Sequence, residues 1–155
     1  WARFDQLRIP RENLLAGVAV VHPDGTYSRV PGGDKRMYGA MLDVRASLVS
    51  RAASSLARAL TIAVRYSLVR LQGYIGGGSG TEEVPVMAHV TQRRGLMPWL
   101  AFCFTLHFTG ERFRGEYERF LAGDKSVSLP ALHAESSGLK ALVTQRVADG
   151  IEACR

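Results

Sequence analysis

Two arginines, Arg45 and Arg70, lie in a proline-free stretch that has the pattern of one long helix. An arginine side chain is always charged, and its planar fork donates two parallel hydrogen bonds, which matches the oxygens of a phosphate group. The two residues are 25 positions apart. At 100° per residue they return to almost the same helix face, roughly 37 Å apart along the axis. No small ligand group could touch both, so if both bind ligands they serve two different anionic groups near opposite ends of the helix.

Other chemistry has weaker support in the sequence. Arg51, Arg58 and Arg65 are spaced by seven and share one face, which is typical of a solvated stripe. Asp43 and Glu152 are lone carboxylates in helical settings, and the motif G-x-S-x-G is absent. The histidines, which show no paired metal-ligand spacing, are His22, His89, His107 and His133. From the residues alone we predict neither a catalytic centre nor a metal site.

The helix that carries both arginines is predicted over residues 37–72. Ala and Leu give it high intrinsic propensity, Asp34 is a candidate N-cap, and Gly73 is the expected stop. Its apolar residues recur every three or four positions, at Met41, Val44, Leu48, Ala52, Leu56, Ala59, Ala63 and Tyr66. Because much of its circumference is apolar, neighbouring elements must cover it.

Two further helices are predicted after the glycine-rich loop 73–81. The loop lacks the Gly-Lys-Ser/Thr ending of a phosphate loop, so a plain linker is the preferred interpretation. The second helix covers about residues 86–122, and the third begins near Leu129 and Pro130 with Ser128 as a candidate cap. The second helix has a predicted apolar face of Val90, Met97, Leu100, Phe104, Phe108, Phe113, Tyr117 and Phe120. The predicted stripe of the third comprises Leu132, Ser136, Leu139, Val143 and Ile151.

Residues 1–31 differ from the rest, with short extended pieces at 7–10, 15–21 and 26–30 and an Asp24-Gly25 turn signal. Three such pieces cannot form a self-sufficient sheet, so we expect them to complete a larger one. Long helices with short connections favour antiparallel neighbours. The predicted fold class is therefore mainly α: three long antiparallel helices of an incomplete helical bundle, preceded by short β strands. We expect a partner chain or further sequence to supply a fourth helix.

Composition limits the classes of protein. The chain has 155 residues, 46% of them hydrophobic, and a formal net charge of +6. No run of about 18 apolar residues occurs, so no membrane span is predicted. Cys103 and Cys154 are predicted to be free thiols. The charge leaves open a basic helical module that binds nucleic acid, although the arginines are spread out rather than clustered with aromatic residues. The first residue is a tryptophan and the last residues continue a helical pattern, so we expect a piece of a longer protein.

Five segments of the chain resemble peroxisomal acyl-CoA oxidases in order and spacing. They are residues 7–15 (LRIPRENLL), 24–27 (DGTY), 61–72 (TIAVRYSLVRLQ), 132–141 (LHAESSGLKA) and 150–155 (GIEACR). The resemblance covers essentially the whole chain, and GIEACR is its most specific segment. It implies that residues 1–33 are the end of a middle β domain and its linker. Residues 34–155 would then be the first part of the C-terminal helical domain of the acyl-CoA dehydrogenase and oxidase superfamily.

The resemblance implies an FAD-dependent enzyme that converts acyl-CoA to trans-2-enoyl-CoA in fatty-acid β-oxidation and reduces O2 to H2O2. It also implies a peroxisomal location and a homodimer formed through the helical domain, with no nucleic-acid partner. An acyl-CoA dehydrogenase, which passes its electrons to a flavoprotein, is the alternative with the same chemistry. The Arg65-Tyr66-Ser67 segment and the closing GIEACR favour the oxidase.

The resemblance also assigns roles to four residues. Arg70 matches an arginine that contacts the FAD pyrophosphate of the neighbouring subunit, and Gln72 takes the accompanying polar position. The next residue in the family is often aromatic, whereas here it is Gly73. Arg45 matches an arginine that lies along the CoA part of the substrate, and Tyr38 is a further substrate-side candidate.

The catalytic base of the family is a glutamate in an aromatic-Glu-Gly segment. This chain does not contain that segment, and Glu152 does not match it. We therefore expect the chain by itself to be catalytically inactive, although the resemblance places it in an oxidase.

Overall fold

A computed structural model of the chain describes residues 1–75 and 82–155, without the side chains of residues 33–38 and 40. The candidate cap Asp34 and most of the predicted loop at 73–81 therefore lie outside the described residues. Contacts divide the chain into two units, Trp1–Met41 and Leu42–Arg155. The described residues form three long helices preceded by two short antiparallel strands, which confirms the predicted fold class.

The first unit contains a two-stranded antiparallel sheet. Strand β1 (Ala19–Val21) pairs with β2 (Tyr27–Arg29). Between them, Asp24 accepts hydrogen bonds from the hydroxyl of Thr26 at 2.7 Å and from its backbone N–H at 2.9 Å. These bonds lower the pKa of Asp24. Gly25 follows with a φ of 83°, which glycine adopts without strain, so the predicted Asp-Gly turn is confirmed.

Residues 7–10 form no strand, in contrast to the prediction. The Pro10 carbonyl accepts the N–H of Asn13 at 3.0 Å and so opens a 3-10 turn at Arg11–Asn13. Proline has no N–H to donate to a sheet ladder, which explains why the extended run ends without pairing.

Helix α1 runs without interruption over Gly33–Val69 and ends three residues before the predicted end. The Arg70 N–H still bonds to the Tyr66 carbonyl at 2.8 Å, but the Arg70 carbonyl accepts the N–H of Val86 at 2.8 Å. The helix therefore ends where the backbone begins to pair with an extended segment. Gly73, with a φ of 75°, turns the chain after that point instead of capping the helix.

The other two long helices are α2 (Val90–Leu121) and α3 (Leu129–Ala153). Ser128 occupies the N-cap position of α3, as predicted, although its side chain makes no capping hydrogen bond. The turn before it is held by Asp124, which accepts bonds from the hydroxyl and N–H of Ser126. These bonds are the largest causes that lower the pKa of Asp124 to about 2.

The three helices alternate in direction. Gln92 in the first turn of α2 donates to Ser67 near the end of α1 at 2.9 Å, so α1 and α2 are antiparallel. Arg112 in the second half of α2 forms an ion pair with Glu135 in the first half of α3, so α2 and α3 are also antiparallel. The first and third helices consequently run in the same direction, and Leu42 of α1 packs in one cluster with Leu132 of α3.

The buried face of α1 repeats in alternating steps of three and four residues. Its members are Leu42, Ala46, Val49, Ala53, Leu56, Leu60, Ala63 and Ser67. The predicted stripe was right at Leu56 and Ala63, but Met41, Val44 and Tyr66 are more than half exposed. The prediction failed because α1 is apolar around much of its circumference, so periodicity alone cannot select the face that α2 and α3 cover.

The buried faces of α2 and α3 were also predicted only in part. The buried residues of α2 are Leu96, Cys103, Leu106, Gly110, Phe113 and Tyr117. Those of α3 are Leu132, Ser136, Val143, Val147 and Gly150. Phe104 and Phe108 were predicted to be buried but are 58% and 66% exposed, and Ile151 is 39% exposed. The helices approach each other most closely at glycine and other small residues. A search for large apolar residues overlooks these positions.

Candidate functional site

Arg45 lies in the second unit, where the first half of α1 packs beside the start of α3. Its guanidinium Nη1 is 3.0 Å from the hydroxyl oxygen of Ser137 and 3.3 Å from Nδ1 of His133. All three side chains are half-buried. Because a guanidinium only donates hydrogen bonds, Ser137 and His133 are the acceptors. Arg45 is thus held by α3 instead of extending freely into solvent.

The backbone around this contact is fixed by the hydrophobic core. Leu42, about one turn before Arg45, and Ala46, the residue after it, are buried in the same cluster as Leu132, the residue before His133. This packing sets the distance between the two helices at the point where Arg45 crosses from one to the other. The bonds use Nη1, while Nε and Nη2 bond to no residue that the structure describes.

Arg70 and Gln72 follow the end of α1, and both side chains are exposed. Their backbone is well held: the Gln72 N–H bonds to the Val84 carbonyl at 2.9 Å, and the Val84 N–H bonds to the Gly73 carbonyl at 3.0 Å. Nε2 of His89 lies 2.9 Å from the Gln72 carbonyl oxygen and fastens the same segment to the start of α2. Among the described residues, no acid forms an ion pair with Arg70.

The structure does not bring the two arginines together. From Arg45 to the end of α1 at Val69 is 24 residues of unbroken helix, roughly 36 Å at 1.5 Å per residue. Any ligand groups that they bind must therefore be far apart, as the sequence predicted. The side chain of Tyr38, the fourth predicted site residue, lies outside the described residues.

His133 and Ser137 were not predicted as functional residues. The spacing of His133 fits no metal site, and the resemblance of residues 132–141 assigns it no role. Residues four apart on a helix share a face, so His133 and Ser137 could have been paired from the sequence. Their contact with Arg45 could not, because it joins residues 88 and 92 positions apart.

Other chemistry is limited within the described part of the chain. No group of three or more His, Cys, Asp or Glu residues there could hold a metal ion. None of its helices combines the length and apolarity needed to cross a membrane.

Cys103 and Cys154 are free thiols, as predicted, and burial raises the pKa of each. Cys103 lines a largely apolar groove of about 490 Å³ between α1 and α2.

Comparison with known proteins identifies the class of this helical unit. The family model of the acyl-CoA oxidase C-alpha1 domain matches residues 38–155. The peroxisomal acyl-coenzyme A oxidase 1 of Rattus norvegicus is 43% identical over 159 residues, which cover 100% of this chain and 23% of that protein. The chain belongs to the acyl-CoA oxidase family, which confirms the resemblance found in the sequence.

Solved structures of the family share the fold. The acyl-CoA oxidase of Lycopersicon esculentum (tomato) matches with a TM-score of 0.83 at 39% identity, over 97% of this chain and 23% of that chain. Acyl-CoA oxidase-2 of Caenorhabditis elegans, bound with FAD, ascaroside-CoA and ATP, matches with a TM-score of 0.77 at 37% identity. The match covers 97% of this chain and 23% of that chain. The chain thus spans less than a quarter of the length of these proteins.

Proposed function

We propose that the chain is the segment of an FAD-dependent acyl-CoA oxidase in which one helix serves both the cofactor and the substrate. The observation that carries the proposal is the unbroken helix α1, with Arg45 in its first half and Arg70 directly after its end, in a chain that belongs to this family. The reaction is the conversion of acyl-CoA to trans-2-enoyl-CoA with reduction of O2 to H2O2. The relatives' names support a peroxisomal location.

Arg70 and Gln72 are proposed to hold the FAD pyrophosphate of a neighbouring subunit. Their fit to this group rests on two properties: both side chains are exposed, and their backbone is fixed by bonds to Val84 and His89. A charged fork on a fixed backbone suits a diphosphate, because the backbone is already ordered and only the side chain has still to be ordered on binding. The chemistry supplied by bound FAD is hydride acceptance and delivery of electrons to O2.

Arg45 and Tyr38 are proposed to lie along the CoA part of the substrate. For Arg45 the support is its fixed orientation and its remaining donors at Nε and Nη2, which suit a phosphate oxygen. CoA carries its phosphates far from the reacting carbons. A role for Arg45 in binding CoA is therefore a role in affinity and placement, separate from proton removal.

This chain is not proposed to supply the base that removes the α-proton. Glu152, the carboxylate nearest the last residue, is exposed and accepts a bond from Nη2 of Arg155 at 2.6 Å. The resemblance places the base in an aromatic-Glu-Gly segment, which this chain does not contain. The chain alone is therefore proposed to be inactive.

We further propose the domain division suggested by the resemblance, with residues 1–33 ending a middle β domain and 34–155 beginning the helical domain. A homodimer through the helical domain is supported by exposed aromatic residues on α2, at Phe104 and Phe108. Large exposed apolar side chains on adjacent turns are typical of surfaces that another element covers.

The function is tested with the full-length protein that contains this chain. Supplied with FAD and palmitoyl-CoA in air, it should form H2O2 and enoyl-CoA in equal amounts. Enoyl-CoA formed only with an added electron acceptor, without H2O2, would identify a dehydrogenase instead. No enoyl-CoA under either condition, together with salt-sensitive binding of duplex DNA, would support the nucleic-acid-binding alternative.

A further inference from the structure

The side chain of Arg45 is held from the opposite helix by two acceptors one turn apart. Ser137 accepts at 3.0 Å and His133 at 3.3 Å, both from Nη1. A guanidinium nitrogen of this kind carries two hydrogens, so the two contacts use its full donor capacity. The plane of the guanidinium is consequently fixed, and the edge formed by Nε and Nη2 is left for other partners.

We infer that His133, assisted by Ser137, is a positioning residue for CoA binding and acts through Arg45. This inference rests on the proposed role of Arg45 at the CoA end of the substrate. Arginine has large rotamer freedom, and a ligand that must order it loses affinity by that amount. A guanidinium already ordered by α3 binds a phosphate group without that loss.

The contact also assigns a role to one ring nitrogen of His133. Because Arg45 can only donate, Nδ1 of His133 must accept the hydrogen bond with its lone pair. The requirement is for an acceptor at the Nδ1 position, not for a ring as such. An asparagine can place its Oδ1 close to that position, whereas a leucine of similar size offers no acceptor.

Ser137 is itself oriented for this role. Its hydroxyl donates to the His133 carbonyl at 2.8 Å, so its oxygen has lone pairs available for Arg45. The neighbouring Leu132 is 2% exposed and packs in one cluster with Leu42 and Ala46 of α1. The two acceptors thus stand on a part of α3 that the core holds at a fixed distance from Arg45.

The test measures equilibrium binding of CoA to the full-length holoenzyme, together with kcat and KM for palmitoyl-CoA. Arg45→Ala should weaken CoA binding by about 10- to 100-fold, the range for hydrogen bonds to a charged group. His133→Leu should weaken it by about 3- to 10-fold, and Ser137→Ala by less. In each variant KM should rise while kcat changes little, because the lost interaction is uniform binding. His133→Asn should restore affinity to within about twofold of the parent.

A double-mutant cycle decides whether His133 acts through Arg45. In the Arg45→Ala background, His133→Leu and Ser137→Ala should have no further effect on CoA binding. Full additivity, or an unchanged affinity in both single variants of α3, would overturn the inference. If His133→Leu fails to fold, His133→Ala removes the same acceptor and takes its place in the cycle.

The failure of the underlying proposal has a different signature. Unchanged CoA affinity in Arg45→Ala would remove the CoA role of Arg45, and with it the basis of the inference, while H2O2 production would remain. Arg51→Ala serves as the matched control, since Arg51 is an exposed arginine on the same helix. It should leave CoA affinity unchanged.

Discussion

Two arginines associated with α1 have different surroundings. Arg45 is half-buried and bonded to Ser137 and His133, whereas Arg70 is exposed on a segment whose backbone, not its side chain, is held in place. A held guanidinium binds an anion with small entropic loss but restricted geometry, and an exposed one adapts to the anion that reaches it. The first setting suits recognition of a substrate, and the second suits a phosphate presented by another subunit.

Replacing Arg70 by alanine should weaken FAD binding to the full-length protein by about 10- to 100-fold, because the proposed charge-assisted bond to the pyrophosphate is lost. Arg70→Lys keeps the charge but lacks the planar fork. Its affinity for FAD should therefore lie between that of the parent and that of Arg70→Ala. Fluorescence titration with FAD measures the dissociation constant.

The matched control is Arg58→Ala, at another exposed arginine of α1. It should bind FAD as tightly as the parent. Equal losses in Arg58→Ala and Arg70→Ala would point to a general effect of positive charge and would contradict a specific contact at Arg70.

At the scale of elements, the three helices pack through buried residues spaced by three, four or seven positions. On α1 this set starts at Leu42 and Ala46 and ends at Ala63 and Ser67. Each fully buried leucine contributes roughly 1.5–3 kcal/mol relative to an exposed one. The small buried residues contribute differently, because they allow the axes of two packed helices to approach each other closely. Gly110 is the clearest case: a Cβ there would lie 2.7 Å from the hydroxyl oxygen of Ser50 and 3.2 Å from its backbone nitrogen.

Gly110→Ala should therefore destabilise the fold by about 1–3 kcal/mol, because α1 and α2 must separate to admit the methyl group. Alanine is the better helix former, so the expected sign is opposite to that of intrinsic propensity. The thermal unfolding midpoint of the full-length protein measures the change.

Gly138→Ala is the control within the same domain. Gly138 lies inside α3, and an added Cβ would meet no atom within 4 Å. This substitution should stabilise the protein by up to about 1 kcal/mol. A Gly110→Ala variant as stable as Gly138→Ala would show that the two helices are not in the close contact described here.

At the scale of the whole molecule, the chain spans less than a quarter of the length of the relatives it matches. Exposed apolar side chains remain on all three long helices, including Ile62, Phe108 and Leu142. A groove of about 490 Å³ between α1 and α2 is lined mostly by apolar residues such as Leu60 and Phe104. Such surfaces are commonly covered by another element or chain in the complete protein.

The 155-residue chain alone, supplied with FAD and palmitoyl-CoA, should produce no H2O2 above the background of free FAD. The reason is that the base and the rest of the cofactor site are proposed to lie outside this chain. A peroxide-coupled fluorescence assay, run beside the full-length protein at equal concentration, makes the measurement. Turnover by the chain alone would show that a carboxylate within it is the base.

The sequence by itself determined the number, order and approximate bounds of the helices and the residue types suited to phosphate. These are properties of local propensity, capping and spacing along one chain. It also predicted that Arg45 and Arg70 lie too far apart for one small ligand, because helix length follows directly from residue number.

Only the tertiary structure decided which face of each helix is buried and which groups contact Arg45. Both depend on pairs of residues far apart in sequence, as the contact of Arg45 with His133 shows. A helix that is apolar on several sides, such as α1, has more than one face that could be covered. The helices that pack against α1 determine which of these faces is buried, since burial is a property of the pair and not of either helix alone.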